Sequence, residues 1–568
     1  MDVAKMQTKL ATWSQDHNFN FDDIFNVVCD AAFLYRAWTN VSSNSGAGTP
    51  GVDGATAEDF AEDLDGSLTD LRRRLKSGSY SPKPVRRTQI PKGDGDKRPL
   101  GIPTIEDRVV QESLRLVLQP IYETDFTDRS YGFRPNRSCL DAISVVNHSI
   151  ASQLRSYKRW ILDLDIKGYF DTVDHTTLLQ TLQDRITDEE VQQLIWDTLK
   201  AGVKKNGSVH VTGKGTPQGG VVSPLLANIY LNELDHWIRQ WTDKTQNERR
   251  RRRRRGKGAW QQIRYADDFL ILTNGPKHHA ERMMERVEEY LDEELKLGLS
   301  EKKSELTHAQ DGLSFLGYDM RACTDTGGCK MYVPKEAKEH IRGRIREATS
   351  GPTDVSPHLK IRAINRVVRG CAGYYQYCTD TARVFPAIGK LLWDETTGWL
   401  CKKYKCSRKR LIQNHLESGN PFVINGETLV RPRRLATSAT DMPSPNRHSH
   451  PYLGENEVST ESHWGKRYRK ELPPKTPYLA NAERRLGSRE TVRKVRVRNE
   501  NRCMAVGCEK GKPGGKSLPV HHIRRRRSAD DDRPGNMVTL CHKHHNQIHR
   551  GRSIRIYHRG KGEEVMLS

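Results

Sequence analysis

The stretch RYADDFLIL, residues 264–272, sets two adjacent carboxylates, Asp267 and Asp268, into a run that otherwise reads as a β-strand. Ile263, Tyr265, Phe269, Ile271 and Leu272 are residue types that suit a pleated, half-buried surface. A carboxylate in such a place is costly unless something neutralises it. The fold therefore turns on what stands opposite these two aspartates.

The best partner in the chain is RWILDLDIKGYFDTVDH, residues 159–175. Its alternation predicts a strand with Trp160, Leu162, Leu164 and Ile166 on one face and Ile161, Asp163 and Asp165 on the other. Gly168 interrupts it, and a polar helix start follows. An acid at a strand end and an acid pair at a hairpin tip can converge across a sheet. Three crowded carboxylates repel one another unless a cation neutralises them, and hard oxygen ligands suit Mg²⁺. Two such ions on shared carboxylates are the arrangement for phosphoryl chemistry. Neighbouring arginines could pair with one acidic stretch, but a second acidic strand argues for the cation.

The rest of the chain is consistent with a polyanionic partner. Its 568 residues exceed what one core can organise, so several domains are expected. Lys and Arg number 94 against 71 Asp and Glu, a formal net charge of +23, which favours nucleic acid over a merely soluble basic protein or a membrane-surface binder. Seven consecutive arginines, Arg249–Arg255, stand just before the acid pair and are suited to a phosphate backbone. The N-terminal stretch lacks the apolar core of a signal peptide, and no run is long and apolar enough to span a bilayer. Eleven irregularly spaced cysteines argue against a disulfide framework. A reducing, cytoplasmic setting is expected, with special cysteines reserved for metal.

Residues 1–50 read as a helical lead-in that ends in the loop-forming SSNSGAGTPGVDG. Up to about residue 320, strand and helix periods alternate. Met283, Val287 and Leu291 share one face of a charged amphipathic helix. Residues 335–415 are predicted to be helical, with Ile361, Ile364, Val367 and Val368 at helical spacing. Seven prolines between 431 and 480, and few periodic apolar residues, predict a linker. A Cys/His-rich module follows.

Several blocks in one order now carry a resemblance. TPGVDG (49–54), RPLGIPTIEDRVVQESL (98–114), YGFRPNRSCLDAI (131–143), LDIKGYFDTVDH, TPQGGVVSPLLANIYLNELD (216–235), YADD and FLGY (315–318) resemble the ordered motifs of group II intron reverse transcriptases. The resemblance implies a multidomain α/β protein built as a right-hand polymerase. It implies an N-terminal extension over 1–50, fingers and palm over 51–330, and an α-helical thumb/maturase domain over 331–420. A linker and DNA-binding region over 421–494 and a small ββα-metal HNH domain over 495–568 complete it. Strand alternation alone leaves Asp163 and Asp165 as alternatives; the family block implies Asp165, with Asp267 and Asp268, as the Mg²⁺ ligands. Asp171 and Asp174 are expected to organise the next helix start. The resemblance further implies that Arg86, Lys92 and Arg98 hold the incoming dNTP, that Phe170 excludes a 2′-hydroxyl, and that Gln218 borders the nucleotide. INRVVRGCAGYYQYC (364–378), with Trp393 and Trp399 beyond it, resembles the maturase region, which implies binding of the group II intron RNA during splicing.

The C-terminal motifs CMAVGC (503–508), PVHHI (519–523), GNMVTLCHKHH (535–545) and QIHRG (547–551) resemble the HNH endonuclease pattern. By that resemblance His521, His545 and His549 bind a divalent metal, His522 is the general base toward water, and Asn536 fixes its loop. A histidine suits the base role because its ordinary pKa lies near neutrality. Cys503, Cys508, Cys541 and His544 form an acceptable structural zinc set, although the first pair is spaced more widely than in the usual knuckle. The expected activity is cDNA synthesis primed by a nick in target DNA, carried out with the excised lariat RNA. The rivals are an RNA-binding maturase without polymerase activity and a host-domesticated reverse transcriptase.

Overall fold

Both acidic stretches fold as strands of one antiparallel sheet in a computed structural model of the chain. It describes residues 1–16, 18–91, 97–151, 157–205, 208–210, 213–216, 219–323, 325, 327–417, 420–424, 426–438, 442 and 449–454. Farther along it describes 520–522, 537–539, 554–558 and 563–567. The contacts divide the chain into two units, Met1–Tyr468 and Arg469–Ser568.

Among the described residues of the first unit, eight strands precede residue 310: β1 (Val85–Pro91), β2 (Lys97–Ile102), β3 (Trp160–Asp165), β4 (Val203–Lys205), β5 (Ser208–His210), β6 (Trp260–Tyr265), β7 (Asp268–Thr273) and β8 (Glu305–His308). The central sheet has the order β6-β7-β3-β8, and a second sheet has the order β2-β1-β4-β5. Strands β6 and β7 form a hairpin in which Tyr265 faces Asp268 and the turn is Ala266-Asp267. Ala266 takes φ +57°, a conformation that two-residue hairpin turns require at their first position and that glycine usually supplies.

The alternation read from the sequence is what the two faces of this sheet show. Leu162, Leu164, Phe269 and Ile271 enter one hydrophobic core, with the long helix Ser223–Thr242. Ile161, Ile263, Leu270 and Leu272 enter a second core on the other face, with the helix Cys139–Ile150. The helix Ile105–Glu123 is buried along nearly its whole length, started by Thr104, whose hydroxyl oxygen accepts from the Asp107 N–H.

The N-terminal extension shares the first core. Leu10, Phe33, Leu34 and Trp38 are buried in it, from the helices Val3–Ser14 and Ala31–Ser43. Asp188 caps the helix Glu189–Lys200 and also accepts from the N–H groups of Ile24 (2.7 Å) and Phe25 (2.8 Å). Arg185 and Asp125 form a fully buried ion pair at 3.2 Å, and Arg185 donates to the Ser14 carbonyl at 2.6 Å.

Strands β9 (Leu313–Phe315), β10 (Tyr318–Ala322) and β11 (Cys329–Tyr332) share the second core with the helices Lys335–Thr349, Pro357–Tyr374 and Thr381–Tyr404. FLGY meets GYYQY here: Tyr374 donates to the Leu316 carbonyl at 2.6 Å, and Tyr318 donates to the Tyr374 carbonyl. The ordered body runs past residue 420, where the sequence reading starts a linker. Strand Asn420–Ile424 and the 3₁₀ turn Pro432–Leu435 pack on those helices, with Ile424 and Leu429 buried. Proline content signalled a linker, but Pro432 begins a 3₁₀ turn, a position where a missing N–H costs little. Within 449–454, Leu453 is buried and the His450 pKa is pulled down to about 4 by burial and then by Arg134 and Arg137.

In the second unit the described residues form two antiparallel hairpins. Val520–His522 pairs with Met537–Thr539, His522 facing Met537, and Ile554–His558 pairs with Glu563–Leu567. Among the described residues, no helix is long and apolar enough to cross a membrane.

Candidate active site

The question posed by Asp267 and Asp268 is answered by β3. Asp165 is the direct cross-strand partner of Asp268, and Asp163 pairs with Leu270 on one side and Glu305 of β8 on the other. Directly opposed residues of an antiparallel pair hold their Cβ atoms about 4.5–5.5 Å apart on one face. The face that is apolar at Ile161, Leu270 and Leu272 thus turns acidic at Asp163, Asp165, Asp268 and Glu305. Asp267 stands at the adjoining turn.

The electrostatics of this end are unbalanced. The Asp163 carboxyl is pushed up to about 7, first by burial and then by the charges of Asp268, Glu305 and Asp165. Lys303 offsets part of the excess, its Nζ lying 3.2 Å from Asp165 Oδ1. Among the described residues, no three Asp, Glu, His or Cys side chains close on a common point as a ready-made metal cage. Mg²⁺ does not need one, because it keeps several waters and commonly takes one or two carboxylates together with substrate phosphates. A surplus of carboxylate oxygen beside an open hairpin tip fits such an ion.

The turn itself is braced by groups that the sequence reading missed. Arg264 is fully buried. Its guanidinium donates to both oxygens of Asp235 (2.7–3.0 Å), to Asn228 Oδ1 (2.9 Å) and to the Ala266 carbonyl (2.9 Å). Asn228 in turn donates to the Gly132 carbonyl at 2.7 Å. Gly132 must be glycine, since a Cβ there would lie 2.4 Å from the Ala266 nitrogen. YGF, LANIYLNELD and RYADD therefore form one support for the acid-bearing turn. Arg264 and Asp235 both lie inside recognisable motifs, but nothing in the letters signals their pairing. Glu305 and Lys303 carried no sequence signal either.

The other expected residues are distributed around this end. Phe170 is half-buried in the helix Tyr169–Thr172, its ring 5.6 Å from Tyr169. The Thr216 N–H donates to the Phe170 carbonyl at 2.7 Å, and a Cβ on Gly215 would lie 2.9 Å from the Asp171 carbonyl oxygen. A Cβ on Gly219 would lie 2.4 Å from the Gly101 carbonyl oxygen of β2. Gly215 and Thr216 thus abut the Phe170 helix and Gly219 abuts β2; Gln218 itself lies outside the described residues. Asp174 caps the helix His175–Gln183 through the Thr177 N–H at 3.0 Å, and Asp171 occupies the first turn of its own short helix. Arg86 donates twice to the Pro50 carbonyl, at 2.8 and 3.0 Å, and so ties β1 to the TPGVDG loop. Arg98 sits on β2 opposite Ile90 by its backbone, with its side chain outside the described residues, as is the whole of Lys92.

For the C-terminal constellation, His521 and His522 have described backbone on one strand, but their side chains do not. Cys503, Cys508, Asn536, Cys541, His544, His545 and His549 lie outside the described residues.

Comparison with known proteins agrees with this geometry. Residues 90–320 match the family described as reverse transcriptase (RNA-dependent DNA polymerase), and residues 338–416 match the group II intron, maturase-specific domain. Protein YkfC of Escherichia coli is 38% identical over 335 residues, covering 56% of this chain and 88% of that protein. The group II intron-encoded protein LtrA of Lactococcus lactis is 35% identical over 359 residues, covering 54% of this chain and 59% of LtrA. The putative COX1/OXI3 intron 1 protein of Saccharomyces cerevisiae is 28% identical over 478 residues, covering 71% of this chain and 56% of its own length.

Proposed function

Because the chain belongs to the reverse transcriptase family and joins to that module a group II intron maturase-specific domain, we propose that it copies RNA into DNA at the Asp165–Asp267–Asp268 turn and binds its own intron RNA during splicing. The observation that carries this reading is the register that sets Asp165 directly against Asp268, with Asp267 next to it at an open tip.

These three carboxylates would hold Mg²⁺, which when bound activates a primer 3′-hydroxyl and offsets charge on the triphosphate. The chain's own residues do the rest. Arg264 and Gly132 fix the turn, so the carboxylates are positioned before substrate arrives. Lys303, with its Nζ 3.2 Å from Asp165 Oδ1, would offset part of the carboxylate charge at this site. Phe170, beside Gly215 and Thr216, would close the space a 2′-hydroxyl needs, and Arg86 on β1 and Arg98 on β2, with Lys92 between them in sequence, would hold the dNTP. The helix Gln246–Arg254, started by a reciprocal Thr245–Glu248 cap, offers its arginines to RNA phosphates.

The C-terminal module is read as an HNH nuclease that nicks target DNA, so that the freed 3′ end primes synthesis during intron mobility. Its support is the pairing of Val520–His522 with Met537–Thr539, which sets His522 opposite Met537. His521, His545 and His549 would hold the divalent cation there, His522 would take the proton from water, and Cys503, Cys508, Cys541 and His544 would bind zinc.

The test uses the full chain with an RNA template, a DNA primer and Mg²⁺, and in parallel its intron RNA and a nicked-strand assay. Wild type extends the primer; His522→Ala extends equally but does not nick. Splicing help without any extension by wild type would leave only the RNA-binding reading, and equal nicking by His522→Ala would remove that residue from the chemistry.

A further inference from the structure

Outside the acidic site, one cavity of about 290 Å³ stands in the maturase-specific region. One wall is the helix Thr381–Tyr404, through Phe385, Gly389 and Trp393; the other is Phe422 with the segment leading into Pro432. The second wall lies beyond residues 338–416, so the cavity is completed by chain outside the matched domain. Pockets for drug-sized ligands run to roughly 300–1,000 Å³. This one is too small for a nucleoside triphosphate and has the volume for one planar ring system.

Its chemistry is specific. The Trp393 and Phe422 rings are 5.0 Å apart and tilted by 51°, and the Arg431 guanidinium stands 4.0 Å from the Phe422 ring centre. Lys390 and Arg433 also line it, and among the described residues no acidic one does. An apolar protein side chain could fill the interior but would gain nothing from three cations around it. An unstacked base would use both, because aromatic rings and guanidinium planes stack on bases while cations meet the flanking phosphates.

We propose that this cavity receives a single unstacked base of a bound RNA strand, packed against the corner that Trp393 and Phe422 form with each other, with Lys390, Arg431 and Arg433 on the adjacent phosphates. The proposal rests on the RNA-binding reading above and adds to it a site that distinguishes a flipped or single-stranded base from a paired one.

Gly389 gives a clean way to test it. A Cβ there would meet only Pro432 Cδ, at an ordinary 3.8 Å, so Gly389→Ala leaves the cavity open while Gly389→Leu fills it. Trp393→Ala removes a wall instead, so the two variants disturb the site in opposite ways. The probe is a short fluorescein-labelled single-stranded RNA, compared with the same strand in a full duplex, by anisotropy, with thermal unfolding as the check on folding. Gly389→Leu and Trp393→Ala are expected to raise the single-strand Kd about tenfold, with the duplex Kd and the salt dependence unchanged and Gly389→Ala like wild type. Unchanged single-strand affinity in Gly389→Leu overturns the proposal and assigns the cavity to a protein side chain. Equal weakening on duplex also overturns it, since the loss would then be one of general phosphate contact. Primer extension by wild type is read alongside: if it extends and binds RNA, a failed pocket leaves the polymerase reading standing, and if it does neither, both fall.

Discussion

Two sets of charges stand at the central sheet, one joining Arg264 of β6 to Asp235 of the helix Ser223–Thr242 and the other on β3, β7 and β8, and the fold treats them oppositely. Arg264 and Asp235 are wholly buried, and every nitrogen of the guanidinium has a partner. Asp163, Asp165, Asp268 and Glu305 crowd one face, Lys303 meets Asp165, and burial first, then the charges of Asp268, Glu305 and Asp165, push the Asp163 carboxyl up to about 7. Charge that serves architecture is paired inside the protein. Charge left in excess at an open edge is addressed to something that arrives.

The comparison is broken most directly at the edge. Asp267→Ala with Asp268→Ala is expected to lower primer extension by at least roughly a thousandfold, while the thermal midpoint stays level or rises because like charge has been removed. A matching collapse of stability would mean that these acids are structural after all. At the paired set the expectation inverts. Arg264→Met leaves the Asp235 carboxylate buried alone and should cost about 3–5 kcal/mol in urea unfolding. Adding Asp235→Leu should return most of that stability, yet extension should stay slow because nothing then holds the Ala266 carbonyl. Full recovery of rate together with stability would show that the pair has no bearing on the turn.

The Asp163 carboxyl sharpens the comparison by its sign. Its pKa is raised from 3.8 to about 7 in the folded protein, so the folded chain keeps a proton that the unfolded chain gives up. Its contribution is complete below about pH 4 and is lost as pH climbs through about 7, and Asp163→Asn should flatten a fall of roughly 2–4 kcal/mol measured without Mg²⁺. A wild type equally stable at both ends would contradict the crowding. The smallest effect is expected at Gly132. Gly132→Ala should cost about 1–3 kcal/mol and slow extension, whereas Gly46→Ala, with nothing within 4 Å, should do neither.

Much of this sheet was legible because strand alternation is local. Trp160 to Ile166 and Phe269 to Leu272 sort to the two faces as their letters suggest, and Asp174 caps the helix its position implied. What the letters withheld was contact at long range. Arg264 lies 29 residues from Asp235 and Asp163 lies 142 from Glu305, so no periodicity links them. Choosing Asp165 over Asp163 needed the motif resemblance, since both occupy the same face. The segment around Phe422 and Pro432 read as linker because short strands with a proline carry little pattern of their own.

The clasp formed by Asp188 on Ile24 and Phe25, and by Arg185 on Ser14, has a practical consequence for anyone who trims this protein. Removing the first thirty or so residues would not shed an appendage. It would strip partners from a carboxylate and a guanidinium that lie in the interior, and expose to water the core surface that Leu10 and Phe21 cover. A shortened version would be expected to aggregate before its catalysis could be assayed.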